Sequence, residues 1–89
     1  MANAIKASSI VVGSTSAVIP RLIDDGYSKM RIKNMGDVDV YIGEEDIVTA
    51  SGYPIFAQTA EEFEFDTELD VYIVCAAGEA PTVKILETR

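Results

Sequence analysis

The chain has 89 residues, with 7 Lys or Arg against 15 Asp or Glu and a formal net charge of −8. Apolar residues make up 48% and charged residues 25%, which excludes a wholly disordered chain. A single cysteine, Cys75, excludes an internal disulfide framework, and the lack of histidine removes the commonest general base and every Ser-His or Cys-His pair.

The first 23 residues are weakly patterned. Ile5, Ala7 and Ser9 alternate with Lys6, Ser8 and Ile10, and Ala17-Val18-Ile19 is a short apolar run stopped by Pro20. This region is either two sheet strands or an extended arm lying over a neighbour, and the alternation favours the sheet. Asp24-Asp25-Gly26 has turn composition.

Beyond this turn, alternation at period 2 is the strongest signal. Lys29, Arg31 and Lys33 alternate with Met30, Ile32 and Asn34, so a strand there points three cations outward. Asn34-Met35-Gly36-Asp37 reads as a turn, with Gly36 free to take positive φ. Val38, Val40 and Ile42 then alternate with Asp37, Asp39 and Tyr41. Two alternating runs joined by a short glycine turn predict a β-hairpin, basic outside on one strand and acidic outside on the other.

Glu44-Glu45-Asp46 reads as a loop, Ile47-Val48-Thr49 as a short β segment and Ser51-Gly52-Tyr53-Pro54 as a second turn. Over Ala60 to Asp70 the glutamates favour helix, but a helix would turn Phe63 and Phe65 by about 100° per residue onto nearly opposite sides. A strand puts both inward with Glu62, Glu64 and Asp66 outward. In the next strand Leu69, Val71, Ile73 and Cys75 face inward. The other side carries Tyr72, Val74 and Ala76, so it needs a second layer or a partner. Ala77 to Pro81 turns the chain, and Thr82 to Leu86 is the last strand. The prediction is an all-β domain spanning 1–89: a small antiparallel β-sandwich, jelly-roll-like or Ig-like, of about seven strands with little or no helix.

A chain this short buries only about 60% of its unfolded surface, so its core is thin. With no disulfide or His-based zinc site to stabilise it, oligomerisation or docking is the remaining device. The longest apolar run, Val71 to Ala77, falls far below the ~20 residues that span a bilayer. The Ile10-Val11-Val12 patch lacks a signal-peptide core, so cytoplasmic synthesis is expected. No Lys or Arg occurs from 34 to 83, a stretch holding 12 of the 15 acids, while Arg21, Lys29, Arg31 and Lys33 sit just before it. Phosphate backbones would be repelled by the acidic part, so no nucleic-acid partner is expected.

Glu44-Glu45-Asp46 and Glu61-Glu62 are the best candidates for a calcium site but lack the spacing of a calcium loop. Cys75 falls on an inward face with no cation beside it to make a thiolate. No catalytic constellation, cofactor or resident metal is expected, and the chain is read as a non-enzyme. The predicted contact residues are Lys29, Arg31 and Lys33 as a charged patch, with Tyr41, Tyr72 and Val74 as outward residues of the later strands.

From Met30 onward the chain resembles small accessory virion proteins of tailed bacteriophages, of the capsid-decoration or cement type. The resemblance is carried by Arg31-Ile32-Lys33-Asn34-Met35-Gly36, Val38-Asp39-Val40-Tyr41-Ile42-Gly43, Gly52-Tyr53-Pro54-Ile55, Glu62-Phe63-Glu64-Phe65, Leu69 to Gly78 and Thr82 to Leu86. It departs at Ala60-Glu61, where a glycine-bearing turn is usual. The resemblance implies a β-sandwich on the capsid surface that decorates and stabilises the shell. Its partners would be the major capsid protein or other virion proteins, and it would be a homo-oligomer with a trimer favoured. The alternatives are a neck, tail or baseplate component, or a small acidic metal-dependent binding module.

Overall fold

The computed structural model describes residues 5–21, 23, 26–66 and 68–88. Asp24 and Asp25 of the expected turn lie outside them. Buried and exposed residues alternate along the longest strands, as a two-layer β-fold requires. In Tyr27–Asn34, for instance, Ser28, Met30, Ile32 and Asn34 are buried while Tyr27, Lys29, Arg31 and Lys33 face water.

The strands are β1 Ile5–Val11, β2 Ala17–Val18, β3 Tyr27–Asn34, β4 Val40–Gly43, β5 Tyr53–Ile55, β6 Ala60–Asp66, β7 Tyr72–Cys75 and β8 Thr82–Thr88. They form two four-stranded sheets in the orders β1-β8-β3-β6 and β2-β7-β4-β5, with every neighbouring pair antiparallel. We call these the first and second sheets. Among the described residues there is no helix. The chain crosses between sheets at every connection except β4 to β5, and the first strand pairs with the last. That wiring is the jelly roll. The predicted β-sandwich is therefore present, with eight strands where about seven were expected, and β1 is a strand of the first sheet rather than a loose arm.

The core lies between the sheets. Met30, Ile32, Val83 and Ile85 meet Val40, Ile42, Ile55, Ile73 and Cys75, while Ile10, Phe63 and Phe65 pack at its margin. Phe63 and Phe65 stack at 5.6 Å, and Tyr53 meets Phe63 edge-on at 5.8 Å, closing the β5–β6 side.

Three local expectations are corrected. β3 and β4 do not form a hairpin: β3 pairs with β6 and β8, and β4 with β5 and β7. The reason is Asn34, which is inward and fully buried. Its Nδ2 donates to Val38 O at 2.8 Å and to Ile55 O at 3.1 Å, and its Oδ1 accepts from Gly36 N at 2.9 Å. The side chain thus holds an arch that carries the chain over to the second sheet. Gly36 is not a positive-φ turn residue; that conformation belongs to Gly26 and Gly78 among the described glycines. A Cβ on Gly36 would overlap the Pro81 Cβ, so the position needs space rather than backbone freedom.

The third correction concerns the segment after β4. Ile47 to Thr49 is not a strand, whereas Tyr53–Ile55, read as part of a turn, is. Pro54 is compatible with β5 because that strand is the sheet edge. The 44–52 loop folds back over the outer side of the second sheet. There Ile47 packs where Gly43 and Gly52 carry no Cβ, and Val74 ends 2% exposed. Val74 is therefore not a contact residue: the chain itself covers the second apolar side of β7. Before β6, where a glycine turn was the usual pattern, Gln58 takes φ 63, and its Nε2 donates to Met35 O at 3.0 Å and Gly36 O at 2.8 Å.

Candidate functional site

The outer face of the first sheet collects the charged residues of the predicted patch. β3 lies in the middle of this sheet, so its alternation sends Lys29, Arg31 and Lys33 to solvent. β8, on one side, adds Lys84 and Leu86 to the same face. The register sets Lys33 directly against Lys84 and Arg31 against Leu86. On the other side, β6 sets Glu62 against Arg31, Glu64 against Lys29 and the uncharged Ala60 against Lys33. From β1 to β6 the face runs from neutral through basic to acidic. Its basic centre borders a shallow groove of about 240 Å³ lined by Ala7, Ser8, Arg31, Lys33, Lys84 and Leu86.

Arg21 does not join this patch. Its Nε donates to Glu87 Oε2 at 2.9 Å, the one ion pair within 4 Å among the described residues. Lys29, Arg31, Lys33 and Lys84 thus keep their charge for the surface. Lys84 and Leu86 were missed as site residues, although the alternation of Thr82 to Leu86 already put them outward.

The edges of the two sheets are unequally guarded. β2 and β5 are only two and three residues long, and β5 contains Pro54. β6 carries Glu61, Glu62, Glu64 and Asp66. β1 has seven residues, no proline and one charge, Lys6, and among the described residues it pairs only with β8. Ile5 at 71% and Val11 at 68% exposure sit near its two ends. Natural sheet edges are usually shortened, charged or interrupted to prevent strand pairing; β1 is neither short nor interrupted, and Lys6 is its single charge.

Tyr41 and Tyr72, the other predicted contact residues, lie half-buried on the outer side of the second sheet, away from the cations. Burial, followed by the nearby carboxylates of Glu45, Asp70 and Asp46, pushes the Tyr72 hydroxyl above its ordinary pKa. The Glu44-Glu45-Asp46 turn is exposed, with Asp46 at φ 68 and Ile47 N donating to Glu44 O at 3.1 Å. Among the described residues no group of three or more His, Cys, Asp or Glu is arranged to hold a metal ion.

Cys75 is inward and buried. Its Sγ lies 3.5 Å from Val12 O, 3.5 Å from Ala76 O and 3.4 Å from Glu79 O. Burial and the Glu79 carboxylate raise its pKa, so the thiol is protonated and inert near neutrality. A separate apolar groove of about 380 Å³ opens beside the aromatic closure, between Tyr53, Phe63, Phe65 and Leu69, with Glu44 and Asp70 at its rim.

No family model and no curated protein matches the chain. Among solved structures, one reported under Bacillus endospore appendages, a novel family of disulfide-linked pili, matches with a TM-score of 0.71 and 17% sequence identity, over 98% of this chain and 83% of that one. At this identity the likeness concerns the fold. It corrects the expectation of a phage capsid-decoration protein, together with its neck, tail or baseplate and metal-module alternatives: the fold is matched in an endospore pilus. Nothing links the chain to a capsid protein as partner.

Proposed function

We propose that this chain is a non-catalytic structural subunit that associates with copies of itself into an appendage-like polymer. The observation carrying this reading is the outer edge of β1, seven residues long with Lys6 as its one charge and without a second partner strand among the described residues, the kind of template that strand addition uses. The adjoining cationic face supplies a second area of contact. The likeness to a pilus structure supports the reading at the level of fold. The disulfide links named for those pili have no counterpart here, since Cys75 is buried with its sulfur among backbone carbonyls. The association proposed here does not run through a disulfide at Cys75.

The test is sedimentation velocity over a concentration series, comparing the natural chain with Ile5→Lys/Val11→Lys. Both positions face solvent, so the variant keeps its fold by circular dichroism. The natural chain should grow in size with concentration and the variant should remain small. Equal behaviour of the two would remove β1 as the contact.

A further inference from the structure

We infer that the cationic groove on the outer face of the first sheet receives the acidic Glu44-Glu45-Asp46 turn of a second copy. This rests on the self-assembly proposed for the chain and specifies one of its contacts.

The groove carries an unmet charge. Lys33 and Lys84 are cross-strand partners, and like charges directly opposite one another are unfavourable in an isolated sheet. Neither is in an ion pair among the described residues, and the neighbour of Lys33 on the far side is Ala60. Arg31 flanks them, so three cations surround a floor that includes Ala7 and Leu86. An anionic partner relieves the repulsion between the two lysines.

The 44–46 turn has the matching features. It presents three consecutive exposed carboxylates, followed by the exposed apolar Val48. The carboxylates are opposite in sign to Lys33 and Lys84, which have no acidic partner in register, and Val48 offers an apolar contact for Leu86. The turn also lies on the opposite side of the sandwich from the groove, next to Ile47 packed on Gly43 and Gly52. One copy cannot bring its own turn to its own groove. Each contact therefore leaves one groove and one turn free, and head-to-tail contacts of this kind close into rings or continue as filaments.

Charge exchange tests the pairing. Lys33→Glu/Lys84→Glu makes the groove anionic and keeps a like-charged pair at the same register. Glu44→Lys/Glu45→Lys makes the turn cationic. Each variant alone should associate at least about tenfold more weakly than the natural chain. Mixing them should restore association, because each groove then meets a turn of opposite sign. Raising NaCl from about 50 to 500 mM should weaken the natural contact and the restored one alike. If the glutamate variant misfolds, Lys33→Gln/Lys84→Gln replaces it, with a smaller weakening expected. A natural chain that associates while neither variant differs from it overturns this pairing and leaves self-assembly standing. A natural chain that is monomeric at every concentration overturns both. Tight binding of duplex DNA by the groove, without rescue on mixing, would assign the cations to phosphate instead and also overturn the pairing.

Discussion

Arg21 and Glu87, 66 positions apart in sequence, are joined by a 2.9 Å bond between Nε and Oε2, with their side chains 8% and 1% exposed. Glu87 is inward because it continues the buried alternation of Val83 and Ile85 along β8. A carboxylate placed there requires compensation. Besides Arg21 it accepts from Ser28 Oγ at 2.7 Å and from Ile23 N at 3.3 Å. The Arg21 guanidinium also donates to Ser28 Oγ at 2.9 Å and to Leu69 O at 2.9 Å. The pair ties Arg21, Ile23 and the approach to β7 onto the end of the first sheet.

Removing one partner strands the other charge, which costs about 3–5 kcal/mol for a buried pair. Arg21→Ala should therefore shift the urea midpoint strongly. Arg21→Met with Glu87→Leu should lose less than the sum of the two single changes. Additive losses would show that the two residues act independently.

Gly36 and Gly13 make a matched pair of substitutions. A Cβ on Gly36 overlaps the Pro81 Cβ and lies 3.0 Å from its Cα, whereas one on Gly13 meets nothing within 4 Å. Gly36→Ala should cost about 1–3 kcal/mol through forced repacking. Gly13→Ala should be neutral or stabilising by up to about 1 kcal/mol, through the entropy of the unfolded chain. Thermal melts of the two proteins decide this, and a neutral Gly36→Ala would contradict the close approach of the arch to Pro81.

The raised pKa values of Cys75 and Tyr72 have a definite sign. Each group is neutral when protonated, so the folded state holds its proton to higher pH than the unfolded chain does. Their contribution is intact below the ordinary thiol pKa of about 8.5 and is lost as pH rises through the folded values. Stability should fall above about pH 8.5, first from Cys75 and near pH 10 from Tyr72. Cys75→Ala should remove the first part of that fall. Labelling of Cys75 by iodoacetamide at neutral pH should be slow in the folded protein and fast in urea; fast labelling without denaturant would contradict its burial.

Much of the architecture was legible because burial follows the alternation of side chains. The β3 pattern, both phenylalanines of β6 and the inward Cys75 were all placed on the correct side. The strand pairing was not legible from the same signal. Period 2 says which face a residue occupies but not which strand lies beside it, and the link between β3 and β4 has hairpin length. Asn34 decides the matter through bonds to Val38 and Ile55, one of them far along the chain. Val74 was misplaced because a doubly apolar strand does not reveal whether a partner or a loop of its own chain covers it. The 44–52 loop does so through the room left at Gly43 and Gly52.

The candidate site was half legible. Lys29, Arg31 and Lys33 were assigned to one face, but Lys84 joined them only once β8 was known to pair with β3. The bare edge of β1 was hidden by its weak pattern, in which Ser8 stands inward and only Ile10 packs at the core margin. The residues behind the phage resemblance include Asn34, Gly36, Gly43 and Gly52. In the structure these maintain the arch and the folded-back loop, so they report on a jelly-roll backbone rather than on the task it serves.

Electron microscopy of the purified chain at high concentration and low salt tests self-assembly most directly. Regular filaments or rings that disperse on raising the salt are the predicted result. A field of single particles of one chain each, unchanged by concentration, would contradict it.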